Sequence, residues 1–273
     1  MKKADNLTLV GVLCGLAMVV WGMMGESGFG IFIDAQSLAI TVGGSFCALL
    51  VTYSLGDIKR VGKLILQSTK EEGIAPLELT SKFGEISKKA RKEGLLSLEE
   101  EINAIEDEFM KKGLQMVVDG IEPETISEIL ELEIEQIEGR HKVGVGLMRT
   151  WGEYAPAFGM VGTLIGLIKM LANLGGDVSA IADGMSVSLI TTFYGALFAN
   201  LIFLPIGNNL ELKSNKEMKI KEMMLEGILA IQSGVNPRIV EEKLLTYISP
   251  EEKKAYVAEG SEGNLGNAEG AID

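Results

Sequence analysis

Tyr154–Gly207 reads YAPAFGMVGTLIGLIKMLANLGGDVSAIADGMSVSLITTFYGALFANLIFLPIG, and the fold turns on how this stretch is understood. Two apolar segments, Ala155–Leu174 and Met185–Gly207, flank a short Gly/Asp/Ser connection, and each carries one proline and a few hydroxyls. In water these would be core helices. Their length says otherwise, because about 20 apolar residues cross the roughly 30 Å of a bilayer's hydrocarbon. Hydroxyls at that depth are costly and mark a pathway or a helix interface. The hairpin is therefore expected to line an ion path.

Two further segments have the same character, Leu7–Met24 and Ala35–Leu55. Lys2 and Lys3 ahead of the first imitate a secretory signal. The apolar run is long for that, and Glu26-Ser27-Gly28 is a poor cleavage site, so both segments are expected to be retained spans. Lys169 is the one charge in any of the four, and it is expected to snorkel toward the extracytoplasmic interface. The connections Gly25–Ile33 and Gly175–Gly184 hold no Lys or Arg. Lys2, Lys3, Lys59, Arg60, Lys63, Arg149, Lys213, Lys216, Lys219 and Lys221 flank the opposite ends. The positive-inside rule then places both termini and the long middle segment in the cytoplasm.

The whole chain agrees with this division. Its 273 residues carry a net charge of −13, and the mean hydropathy of +0.25 averages nearly charge-free blocks with densely charged ones. A strongly acidic chain is a poor nucleic-acid binder, since phosphate contacts need clustered cations. Cys14 and Cys47 lie in apolar blocks and exclude a disulfide framework, while His141 stands without Cys or His companions. No nucleophile–base pair, metal cluster or phosphate loop suggests an enzyme.

Between the second and third spans, residues 56–150 read as a helical cytoplasmic insertion. Ser97 with Glu100 fits a capping box that opens a helix to about Lys112, before Gly113. Pro123 suits a first helical turn, and Ile126, Ile129, Leu130, Ile134 and Ile137 form a stripe behind it. No strong breaker intervenes from Thr125 to Trp151, so one long helix is expected to continue into the third span. Residues 208–258 read as a helical cytoplasmic tail, with a short helix near Pro237–Tyr247, and 259–273 as disordered. The expected fold class is all-α: a polytopic membrane protein with four transmembrane helices, a helical domain inserted between the second and third, and a helical C-terminal tail.

Helical spacing sorts the residues of the last two spans. Pro156, Gly159, Thr163, Gly166 and Met170 share one face of the third; Gly184, Ser188, Thr192, Ala196 and Asn200 share one face of the fourth. The glycines and alanines are expected to let the backbones approach, and the hydroxyls either bond across the contact or replace water around a dehydrating cation. Pro156 and Pro205 each remove an N–H and act as a kink or a hinge. No Asp, Glu or His lies at the middle of any span. A conducting chain of this kind needs a carboxylate from elsewhere.

The runs AFGMVGTLIGLIKML, SLITTFYGALFANLIFLPIG and ARKEGLLSLEEE together resemble the flagellar stator family of MotA and its sodium-driven form PomA, over nearly the whole chain. The related ExbB and TolQ energisers share the last two helices but have one span fewer and lack the ARKEG-type stretch. The resemblance implies an ion-driven motor subunit of the bacterial cell (inner) membrane. It implies a homopentameric ring around single-span MotB-like chains that supply the missing Asp, with torque delivered to the rotor protein FliG. By matching position, Arg91 and Glu99, with Lys92 and Glu100 beside them, are implied as rotor contacts. Pro156 and Pro205 match the family's two prolines, and Thr163 and Thr192, with Thr191, match its ion-site threonines. Within this resemblance Thr163 with Thr191-Thr192 leans toward Na+ over H+. No cofactor is implied beyond the transported ion. The alternatives are an ExbB/TolQ-type energiser of outer-membrane processes, or a passive scaffold in which the hydroxyls only join helices.

Overall fold

The structure is a computed structural model that describes residues 6–24, 29–59, 62, 75–175, 178–250 and 253. Every regular element among the described residues is helical. Helix α1 is Asn6–Met23. A 3-10 turn at Phe29–Phe32 leads to α2 (35–52), which contains a π turn at Ala39–Gly43. Then come α3 (Pro76–Glu93), α4 (Glu99–Asn103), α5 (Glu108–Val118) and α6 (Pro123–Ala172). Helix α7 is Val178–Gln232, interrupted by a π turn at Ala199–Phe203, and α8 is Pro237–Leu244.

Among the described residues, three helical stretches are long and apolar enough to cross a membrane: Gly30–Thr52, Pro123–Ala172 and Val178–Gln232; Leu13–Met23 is a shorter apolar helix. The first expected span therefore falls on α1, the second on α2, and the last two inside α6 and α7. The unbroken 50 residues of α6 meet the expectation of one long helix. The expected disordered tail, 259–273, lies outside the described residues, as do Lys2, Lys3, Arg60 and Lys63.

The chain divides into two compact units. The first comprises Met1–Glu72 with Gly139–Ser214. Its small core joins Leu49, Leu147, Met148, Ala155 and Phe203, with Trp151 stacked on Phe203 at 4.2 Å between ring centres. Its outer faces are apolar: Met18, Trp21, Val51, Met160, Ile168, Leu171 and Leu189 are all exposed. Large apolar side chains exposed in this way mark a membrane or a partner chain.

The second unit comprises Gly73–Glu138 with Asn215–Asp273. It has a water-soluble pattern, with Leu79, Phe83, Leu98, Ile102, Met110, Leu114, Ile126, Leu130, Met224 and Ile228 essentially fully buried. Ile126 and Leu130 of the expected stripe lie in this core, with Ile129 and Ile134 packed against it.

Three local expectations are corrected. The expected single helix from Ser97 to Lys112 is split: Leu95–Leu98 is a 3-10 turn, α4 lasts five residues, and α5 starts afresh at Glu108. The Ser97 hydroxyl donates to the Gly94 carbonyl (2.7 Å) instead of capping a helix, and Asp107 is the real cap, accepting from Met110 N–H at 2.9 Å. Gly113, expected as a stop, lies inside α5. A methyl group there would meet Ile228 at 2.3 Å, so packing explains the glycine. The connection expected at Gly175–Gly184 is also shorter, because α7 is already helical from Val178.

Candidate functional site

The last two expected spans meet through glycine. A methyl on Gly159 would lie 2.9 Å from the Thr191 carbonyl, one on Gly184 2.8 Å from the Gly166 carbonyl, and one on Gly195 2.8 Å from the Ala155 carbonyl. With backbone against backbone, α6 and α7 approach as closely as small residues permit. Pro156 belongs to the same contact, its Cα 3.0 Å from where a Gly195 methyl would stand.

At this crossing the hydroxyls converge. Thr163 Oγ1 and Thr192 Oγ1 are 2.5 Å apart. Thr163 Oγ1 is also within reach of the Gly159 (3.1 Å) and Ser188 (3.0 Å) carbonyls, and Thr192 Oγ1 lies 3.2 Å from the Ser188 carbonyl. Each hydroxyl owns a single proton. If Thr192 donates to Thr163 and Thr163 to Ser188, lone pairs remain on both oxygens. Thr192 is exposed and Thr163 partly so. Ser188 completes the cluster, its hydroxyl 3.0 Å from the Thr163 carbonyl and 2.9 Å from the Gly184 carbonyl. The helical spacing puts Ser188 on this face but gives it no role of its own.

Thr191 is placed differently. Its side chain is fully buried, its hydroxyl reaches the Val187 (2.9 Å) and Ser188 (3.2 Å) carbonyls, and its methyl fills the space over Gly162. The structure thus joins Thr163 with Thr192 on the open side of the crossing and buries Thr191 against Gly162 inside it.

Pro156 sits within α6 without ending it. Pro205 follows the π turn of α7, where Leu204 N–H bonds the Ala199 carbonyl five residues back. The widened turn accommodates a ring that would collide with an ordinary helix. Asn200 supplies a further bond, its side-chain amide donating to the Ala196 carbonyl at 2.9 Å.

In the second unit, helix ends sort the charges. Arg91 and Lys92 occupy the last turn of α3, and Glu99 and Glu100 the first turn of α4, as the helix dipoles favour. Gly94 makes the reversal between them at φ +90°, a conformation that suits glycine. Buried Leu98 fixes the turn to the core. Neighbouring charges are paired: Lys88 with Glu241 at 3.1 Å and Lys89 with Glu101 at 3.0 Å. Glu101 lifts the Lys89 ammonium above its ordinary range, chiefly through that bond. Arg91, Lys92, Glu99 and Glu100 are exposed and make no ion pair among the described residues. Among the described residues no cluster of His, Cys, Asp and Glu is suited to a metal ion.

Glycine-packed apolar helices carrying a buried-to-open hydroxyl cluster define a helical membrane protein whose polar centre lies between spans. Residues 101–223 match the MotA/TolQ/ExbB proton channel family. Motility protein A of Borreliella burgdorferi is 46% identical over 227 residues, covering 83% of this chain and 87% of its own length. Chemotaxis protein PomA of Vibrio alginolyticus is 38% identical over 246 residues, 90% of this chain and 96% of its own. Among solved structures, the flagellar MotAB stator complex from Bacillus subtilis aligns with a TM-score of 0.85 at 31% identity, covering 92% of this chain and 99% of that one. The MotAB structure from C. jejuni aligns at 0.83 and 30% identity, covering 90% and 96%. The chain belongs to the MotA/TolQ/ExbB proton channel family, among its motility protein A members. Such proteins are channel and motor components, not enzymes.

Proposed function

We infer that the chain is a flagellar motor stator subunit which, with a MotB-like single-span partner, forms an ion channel and converts ion flow into torque on the rotor. The observation that carries this reading is the Thr163–Thr192 pair, 2.5 Å apart on an open face of the α6–α7 crossing. Those spans offer hydroxyl oxygens but no carboxylate at mid-depth, so the site is half of one. The partner's Asp supplies the charge, and the threonines replace part of the water that H+ or Na+ sheds.

The finer assignments follow the same reading. Copies of the chain form a ring, a pentamer in this family, around the partner helices. The chain is a four-span protein of the cell (inner) membrane, with both termini and residues 56–150 in the cytoplasm. Arg91, Lys92, Glu99 and Glu100 meet complementary charges on FliG, weakly enough to release them. Pro156 and Pro205 act as the hinges between ion binding and that contact. One monovalent ion crossing 100 mV supplies about 2.3 kcal/mol, sufficient for a modest rearrangement per crossing. Thr163 and Thr192 favour Na+.

Co-expression with the MotB-like partner in cells lacking a stator should restore rotation and yield a complex whose copies can be counted. Swimming speed should rise with sodium, and Thr163→Ala should blunt the dependence. Rotation indifferent to sodium in the parent overturns the Na+ assignment, and failure of the two co-expressed chains to assemble or to conduct overturns the rest.

A further inference from the structure

We propose that Tyr194 is a positioning residue for the ion site, holding Thr192 against Thr163 by tying the middle of α7 to the turn that precedes α2. The proposal rests on Thr163 and Thr192 being that site. Tyr194 is two positions beyond Thr192 and nearly buried, at 9% exposure. Its hydroxyl donates to the Phe32 carbonyl at 2.5 Å and accepts from the Asp34 N–H at 3.2 Å. Both partners are backbone groups, more than 150 positions away in sequence, at the end of the 3-10 turn. A phenol that donates to one main-chain group and accepts from the next fixes that turn in both height and rotation.

The tie continues into α2 and returns. The Asp34 carboxylate caps α2 by accepting from Ser37 N–H at 2.7 Å. One turn further on, fully buried Thr41 lies in the π turn, and its hydroxyl donates to the Thr191 carbonyl at 3.4 Å. Thr192 is thereby bracketed. Thr191 on one side is held by Thr41 of α2 and wedged over Gly162 of α6, where a methyl would come within 2.4 Å of the Thr191 γ-methyl. Tyr194 on the other side is held by the turn. Ring contacts follow the same line, with Phe32 5.9 Å from Phe193 and Phe193 5.9 Å from Tyr194.

The hydroxyl of Tyr194 is dispensable for filling space, since phenylalanine has the same ring. What it adds is register. Ion ligands must be held to within about 0.5 Å of their working positions by neighbours that are themselves locked. The first pair of spans is then more than a membrane anchor: its turn and its buried face set where Thr192 stands.

The test uses the full-length chain, co-expressed with its MotB-like partner in stator-less cells. Rotation speed at constant load is followed against Na+ at fixed pH and against pH at fixed Na+, and membrane levels are read by immunoblot. Tyr194→Phe should reach nearly the parent's maximum speed but need about three- to tenfold more of the driving ion for half-maximal speed, the factor expected when one buried hydrogen bond is lost. Thr41→Val should shift the dependence in the same direction, and Thr41→Ser should restore it. Parent-like ion dependence in Tyr194→Phe at parent membrane levels overturns the proposal. So does a fall in maximum speed that tracks membrane level with half-saturation unchanged, because that is a purely structural effect. If Tyr194→Phe does not accumulate, the Thr41→Val and Thr41→Ser pair decides, and an unshifted Thr41→Val refutes the bracket. A parent complex with no ion-dependent rotation refutes the stator assignment instead, which keeps the two failures apart.

Discussion

Replacing Gly166 by alanine sets two effects against each other in the same helix. Alanine is favoured over glycine in a helix interior by about 1 kcal/mol. At Gly139 of α6, where a methyl would meet nothing within 4 Å, that gain should be realised. At Gly166 the methyl would lie 2.3 Å from Ser188 Oγ, 2.5 Å from the Gly184 carbonyl and 2.8 Å from Ser188 N. Contacts relax only near roughly 3.5 Å. Two of the three obstacles are backbone, so no rotamer change relieves them and the helices must part by about 1 Å. Overpacking of this kind costs about 1–3 kcal/mol. The Ser188–Thr163 hydrogen bond spans the same gap, and its loss adds about 1 kcal/mol. Subtracting the propensity gain leaves a net destabilisation of about 1–3 kcal/mol. Thermal unfolding of the purified complex should show Gly139→Ala at or above the parent midpoint and Gly166→Ala several degrees below it. Rotation should be impaired in the second because Thr163 and Thr192 are drawn apart. A Gly166→Ala complex as stable as Gly139→Ala, with full rotation, would refute the backbone contact.

Thr192→Val keeps shape and deletes the hydroxyl, so motility should fall severalfold or more while membrane level and assembly stay at the parent's; unchanged motility supports a passive scaffold. Arg91→Glu and Glu99→Lys should each reduce torque while changing the stability of the second unit by less than about 0.5 kcal/mol, as expected for exposed charges without ion-pair partners among the described residues. Torque from tethered cells and a melting curve on the same variant separate the two effects. Glu101→Gln should remove the support Glu101 gives Lys89. Because Lys89 is raised in the folded state, that support is complete below the ordinary lysine range and disappears as pH rises through the raised value. The stability gap between parent and Glu101→Gln should therefore be constant through neutral pH and close in strong alkali. A gap that persists in strong alkali, where the ammonium has lost its proton, contradicts the assignment.

The spans were readable because apolar length is a property of composition, and α6 was readable because nothing from Thr125 to Trp151 stops a helix. The crossing was half readable. Spacing puts Gly159, Thr163 and Gly166 on one face and Gly184, Ser188 and Thr192 on another, but it does not tell that Thr163 meets Thr192 while Thr191 is buried against Gly162. Adjacent residues on a helix differ by about 100°, so the choice between 191 and 192 depends on how the helices are rotated against each other. The π turns at Ala39–Gly43 and Ala199–Phe203 left no periodic trace either. Each slips the hydrogen-bond register by one residue without changing the apolar pattern. Tyr194 was invisible because its partners, the Phe32 carbonyl and the Asp34 N–H, are main-chain atoms with no side-chain signature. The split at residues 104–107 was missed because Ser97-x-x-Glu100 satisfies a capping pattern that Asp107, ten residues later, fills in fact.

Ion flux in proteoliposomes, measured with this chain and its MotB-like partner reconstituted together, bears most directly on the Thr163–Thr192 site. Flux should require both chains, should be absent from vesicles holding this chain alone, and should fall at least tenfold when Thr163→Ala and Thr192→Val are combined. Conduction by this chain alone, or undiminished flux in the double variant, would contradict a site built from hydroxyls on one chain and a carboxylate on the other.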